Sequence, residues 1–174
     1  MKLALRTIAF LAVCIFAAFA ISACAARLLP LYNQAIYSNA TNLNEQALVL
    51  FSEMSDGVSA AKYAEFKPKY DKVIGGFEAL QVTISGRSIP ASAAGILLKF
   101  PMLSEICTAE FSQQDCLNAS APAVAGIVGI LNEMKDEHEL HGVEADLVAI
   151  YKRQYLGRVG ILMEFEILLQ DEEK

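Results

Sequence analysis

Three groups of side chains have residue types and spacings that could support chemistry. Ser59 and Lys62 stand as Ser-x-x-Lys, which on a helix brings an amine one turn from a hydroxyl and can make it a nucleophile. No Lys-Thr-Gly follows, the preceding Ser55-Asp56-Gly57 reads as a turn, and no strand is evident to build an oxyanion hole. The expected role of Ser59 is therefore a helix cap. His138 and His141, with Glu133 and Glu137, offer nitrogen and oxygen ligands about one turn apart, so these two histidines are the weak metal candidates. Their spacing is neither His-Glu-x-x-His nor the Glu-x-x-His pair of di-metal bundles. The surrounding KDEHELHG reads as a solvated helix end. Glu164 and Glu166 lie in the apolar stretch GILMEFEILLQ. Side chains two apart point to different helix faces, so at most one carboxylate can be buried, where its pKa would rise. The expectation is that both flank the apolar stripe. With no haem attachment motif, phosphate-binding glycine loop or Gly-x-Ser-x-Gly elbow, no cofactor and no enzymatic activity are expected.

The remaining reactive groups are cysteines, and the first is placed by the N-terminal stretch. Lys2 and Arg6 head an unbroken apolar run over residues 8–21, the pattern of an export signal. It ends in Ile21-Ser22-Ala23-Cys24, an aliphatic residue, two small residues and a cysteine. This tetrapeptide resembles the lipobox of bacterial lipoproteins, and the resemblance covers residues 1–24 only. It implies that the Cys24 thiol receives a diacylglycerol, that the bond before it is cut, and that the new amine is acylated. The same segment is also compatible with a retained membrane helix, since residues 8–26 approach the ~20 that span a bilayer, or with ordinary cleavage. All three place the rest of the chain outside the cytoplasm. The resemblance further implies that Ala25 and Ala26, in place of an acidic residue, favour an outer membrane over an inner one where both exist.

An exported chain meets an oxidising compartment, and Cys107 and Cys116 are the only thiols left in the folded part. They are expected to join as a disulfide, stabilising by roughly 2–3 kcal/mol in the chain-entropy model. Their spacing is not Cys-x-x-Cys, and no adjacent lysine, arginine or histidine favours a thiolate. Without residues 1–23 the chain keeps 12 basic against 20 acidic side chains, a net charge near −8. Such a surface repels nucleic acid, so nucleic-acid binding is excluded.

The elements that would carry these residues follow from periodicity. After a tether over 24–30, a single helical domain is expected over 31–170, closed by a charged tail over 171–174. In the first helix Ile36, Ala40, Leu43, Ala47, Leu50 and Met54 recur at alternating steps of four and three, the mark of one buried stripe. It should stop at Asp56-Gly57. A second helix starts near Ser59 with the stripe Tyr63, Phe66, Tyr70, Val73, Phe77, Leu80 and Ile84. Pro68 should kink or restart it, and Gly75-Gly76 points to close approach of another helix. A long connection over 87–118 follows, with short helical pieces expected over 92–99 and 101–111. Ser120 as cap and Pro122 in the first turn open a third helix with the stripe Val124, Ile127, Leu131 and Met134. Gly142 ends it. The fourth helix is expected over 143–169, with Leu147, Tyr151, Tyr155, Leu162, Phe165 and Leu169 on one side, widened by Ile150, Gly157 and Ile161.

Two helical hairpins joined by a long disulfide-bridged crossover predict an all-α antiparallel four-helix bundle. The expected function is that of a lipid-anchored cell-envelope protein on the periplasmic side, a non-catalytic module that binds another envelope protein, a peptide or an apolar ligand. Alternatives are a toxin-exclusion or structural lipoprotein and a metal- or ligand-carrying bundle. Recognition is expected in the connection over 87–118, where Arg87, Lys99 and Phe100 lie, because loops on a rigid scaffold often carry it.

Overall fold

The computed structural model describes residues 29–90 and 117–172. The export segment with Cys24, the helical pieces expected over 92–99 and 101–111, Lys99, Phe100, Cys107 and Cys116 lie outside the described residues. Among the described residues four long helices make up an all-α bundle: α1 (Gln34–Glu53), α2 (Tyr63–Ser85), α3 (Ser120–Leu140) and α4 (Ala145–Asp171). Helices α1 and α3 each pack on both α2 and α4, so consecutive helices are neighbours around a ring. Among the described residues, no helix is long and apolar enough to cross a membrane.

The first three stripes are buried much as their spacing predicts. Ile36, Ala40, Ala47, Leu50 and Met54 of the first are buried and Leu43 packs against them, with Phe51 added. Asn33 starts α1 by accepting a hydrogen bond from the Ala35 N–H at 2.9 Å, so the helix begins at Gln34, just inside the domain expected from residue 31. In α2, Phe66, Tyr70, Val73, Phe77, Leu80 and Ile84 are all buried, and Ile74 joins them. Pro68 lies inside α2, which remains one helix across it. The new start falls earlier, where a 3-10 turn, Ala60–Lys62, precedes Tyr63. Gly76 explains itself by proximity: a Cβ there would stand 2.3 Å from Leu43 Cδ2 of α1, whereas Gly75 has open space around it.

Helix α4 follows its expected stripe at Tyr155, Leu162 and Leu169, which are buried, and at Leu147 and Tyr151, which pack against the core, and departs from it at the residues expected to widen that face. Its buried side chains are Val148, Tyr155, Val159, Leu162, Glu166 and Leu169, while Ile150 and Ile161 are exposed. The inward face thus widens on the side away from Ile150 and Ile161. Apolar residues occur on two faces of α4, and periodicity does not say which one meets the bundle.

The two hairpin turns are clasped to each other at one end. Val58 and Val143 exchange backbone N–H to carbonyl hydrogen bonds of 2.8 Å each, an isolated antiparallel bridge. Each valine follows a glycine with positive φ, 82° at Gly57 and 83° at Gly142, where any side chain is strained. A Cβ on Gly142 would also lie 2.8 Å from the Val58 carbonyl oxygen and 2.9 Å from the Ala60 nitrogen. The turns therefore approach backbone to backbone, which only glycine allows.

Candidate functional site

At the opposite end, α2 runs out into the connection over 87–118 and α3 takes the chain back. Its described roots are held by a buried polar cluster. The Arg87 guanidinium places Nη2 2.5 Å from Glu166 Oε2, with side-chain exposures of 6% and 0%. The Ser120 hydroxyl donates to the other carboxylate oxygen at 2.6 Å. Asn118 Nδ2 donates to the Ile84 carbonyl at 3.1 Å, beside the Arg87 N–H, which donates to the same oxygen at 3.1 Å. One of the carbonyls that the end of α2 leaves without a helical partner is satisfied in this way. Three helix ends meet here: Arg87 follows α2, Asn118 and Ser120 begin α3, and Glu166 reaches in from the last turns of α4.

Removing two charges from water is costly unless their geometry and remaining hydrogen bonds compensate, and losing one partner leaves the other stranded. Glu166 has both oxygens engaged. Arg87 Nε and Nη1 and Asn118 Oδ1 are buried and have no hydrogen-bond partner among the described residues. A carboxylate held at both oxygens in this way fastens the three helix ends to one another. Glu164, by contrast, is exposed. The expectation that both carboxylates flank the apolar stripe is corrected: Glu166 takes the core position that follows Val159 and Leu162. Ser120 is corrected with it. Its hydroxyl serves Glu166 and caps nothing, and α3 has no side-chain cap.

The histidines separate. His138 is fully buried, not part of a solvated face. The rings of Tyr63, Phe66 and Tyr70 stand edge-on around it at 5.5–5.9 Å, and its Nε2 lies 3.2 Å from the Ser59 carbonyl. With Nε2–H as the donor, Nδ1 is left buried and without a partner among the described residues. Burial pushes the His138 pKa below 6.5, opposed in part by the Ser59 carbonyl. His141 is exposed, with Nδ1 3.2 Å from Glu137 Oε1. The two histidines therefore do not converge, and among the described residues no three histidine, cysteine, aspartate or glutamate side chains gather as a metal site would need. Ser59 and Lys62 are both exposed in the clasped turn, where the Lys62 N–H donates to the Ser59 carbonyl at 2.9 Å. Ser59 provides no side-chain cap, which corrects that expectation.

Burial also raises the pKa of Tyr70 and Tyr155, whose hydroxyls reach Met54 Sδ and Asn44 Oδ1. The hollow beside Gly76 on the α1–α2 seam, about 300 Å³, is rimmed by Asn39, Asn42, Gln46 and Thr83. No family model, curated protein or solved structure matches the chain.

Proposed function

We propose that this is a lipid-anchored cell-envelope protein, acylated at Cys24 and held on the periplasmic side of the membrane. In this reading its bundle is a non-catalytic module that presents the connection over 87–118 to another envelope protein. Cys107 and Cys116 are joined within that connection, completing two antiparallel hairpins with a crosslinked crossover. The outer membrane is the favoured address where the cell has one. One observation carries the reading: both roots of the connection are fastened by the buried Arg87–Glu166–Ser120 and Asn118–Ile84 contacts. A fixed departure and return reduces the entropy that a recognition loop must lose on binding.

The start of α1 lies at this same end, because the short turn to α2 makes the two helices antiparallel neighbours. A tether from Cys24 to Gln34 therefore keeps the connection close to the membrane, and the partner it suits is one lying at the membrane surface.

Two measurements test the reading. Cys24→Ser should abolish incorporation of labelled palmitate and release the protein from the membrane fraction; unchanged label and retention would sink the anchor. Crosslinking of the full chain in intact cells should capture a defined envelope protein, and replacing residues 91–116 with a glycine-serine segment of equal length should remove that product. Capture that survives the replacement would refute the connection as the recognition element.

A further inference from the structure

Five of the nine large exposed apolar side chains among the described residues lie on α4: Ile150, Leu156, Ile161, Ile167 and Leu168. Ile150, Ile161 and Leu168 are 39%, 45% and 47% exposed. With Gly157 they follow steps of seven, four and seven, which at 3.6 residues per turn place all four within an arc of about 40°. Gly157 is itself exposed, and a Cβ added there would meet nothing within 4 Å. Packing inside the chain does not call for glycine at that position, in the middle of a helix that glycine weakens.

The order of residues along this stripe identifies what fits it. About a centre at Val159, Ile150 and Leu168 are equidistant, Gly157 and Ile161 are equidistant, and Arg153 and Glu164 stand at nearly equal distances on the same flank. A second copy of α4 laid antiparallel across the first sets Ile161 of each copy over Gly157 of the other. It also sets Ile150 against Leu168 at both ends. In antiparallel helix pairs, same-flank residues face each other, so Arg153 meets Glu164 of the other copy twice about one axis. Reversing one helix to parallel would instead bring opposite flanks together and set Arg153 near Arg158. Arg153 and Glu164 have no ion-pair partner among the described residues.

We infer that the outer face of α4 is an isologous dimer interface, occupied by α4 of a second copy in antiparallel orientation. The contact uses no residue of the anchor or of the connection over 87–118, and because it points the connection ends of the two copies in opposite directions it lays both bundles along the membrane, each tether reaching it from the side. The test is sedimentation of the full chain in a non-ionic detergent across a concentration series, with far-UV circular dichroism to follow helix content. A reversible dimer is expected. Arg153→Glu and Glu164→Arg should each raise its dissociation constant about tenfold or more, because like charges then face each other twice. The double variant, with both pairs reversed, should bind within a few-fold of the original. Ile161→Ser, which touches no charge, should weaken the dimer as well. A chain of monomer mass at every concentration would overturn the inference. So would a dimer indifferent to the single charge reversals, or a double variant no tighter than the singles. Monomers whose Arg153→Glu variant loses binding to anionic vesicles would assign the face to lipid instead, and would overturn it equally.

Discussion

The two ends of the bundle fasten the same pair of hairpins with opposite chemistry. At the turn end, backbone meets backbone through Val58 and Val143, and the side chain beneath is a histidine enclosed by Tyr63, Phe66 and Tyr70. At the end that carries the connection, charged and polar side chains do the fastening, through Arg87, Glu166, Ser120 and Asn118. The difference follows from loop length. Short turns bring their own amides and carbonyls into register, so the main chain can bond directly. A connection of some thirty residues cannot, and its roots are held by side chains that reach across helices. The turn end is consequently rigid by shape, and the other end by electrostatics.

The largest expected effect is at the ionic end. Glu166→Leu strands the Arg87 guanidinium in a site with 6% side-chain exposure, and breaking such a pair costs about 3–5 kcal/mol. Adding Arg87→Met should recover most of that loss, because a well-packed apolar pair is often as stable as a buried ionic one. Urea unfolding of the two variants decides it; a double variant as unstable as the single would show that the cost lies in packing and not in charge. Next in size is Gly142→Ala at the turn end. A positive φ and a Cβ 2.8 Å from a carbonyl oxygen should cost on the order of 3 kcal/mol. Thermal melting that leaves the midpoint unchanged would mean that the clasp is dispensable.

These two ends were legible to different degrees. The alternation of three- and four-residue steps gave the inward faces of α1, α2 and α3, because each has only one apolar side. On α4 the outward Ile150 and Ile161 compete with the inward set, so the frame that puts Glu166 in the core was hidden. His138 was missed for a different reason. Lysine and acids surround it in sequence, yet Val124, Ile127, Leu131, Met134 and His138 continue one stripe. The spacing held the answer, and local composition outweighed it. The clasp depends on residues 85 positions apart, which periodicity within a helix does not reach; its one local sign is the Gly-Val pair that both turns contain. Ser120 misled because a serine before a proline resembles a cap, and only the position of Glu166 reveals what its hydroxyl bonds.

The contrast between the ends can be sharpened by pH. The folded-state pKa of His138 is depressed below 6.5, so the unfolded chain binds the proton more readily. Stability should be full above about 6.5 and fall as pH drops from there through the folded value. The ring is surrounded by Tyr63, Phe66 and Tyr70 and by the Ser59 carbonyl, and burial there disfavours the imidazolium. His138→Gln should flatten the slope of unfolding free energy across this window, and an unchanged slope would remove His138 as its source. Asp71 acts at lower pH. Its hydrogen bonds to Lys135 and Lys67 hold its pKa below 3.8, so its contribution is present above that value and is lost as pH falls through the folded one.

The smallest effect belongs between the ends, at a glycine that no neighbour approaches. Gly129 lies exposed inside α3, its φ is not positive, and a Cβ there would meet nothing within 4 Å. Alanine should therefore keep every contact and reduce the freedom of the unfolded chain, raising stability by about 0.4–1 kcal/mol. Set beside Gly142→Ala, the same substitution then has opposite signs at two positions of one hairpin. The sign is decided by what surrounds the missing Cβ: open solvent at mid-helix, and the other turn's main chain at the clasp. Chemical denaturation of both variants reads the pair directly. A loss of stability at Gly129 would mean that α3 is approached there from outside by a surface that the isolated chain does not show.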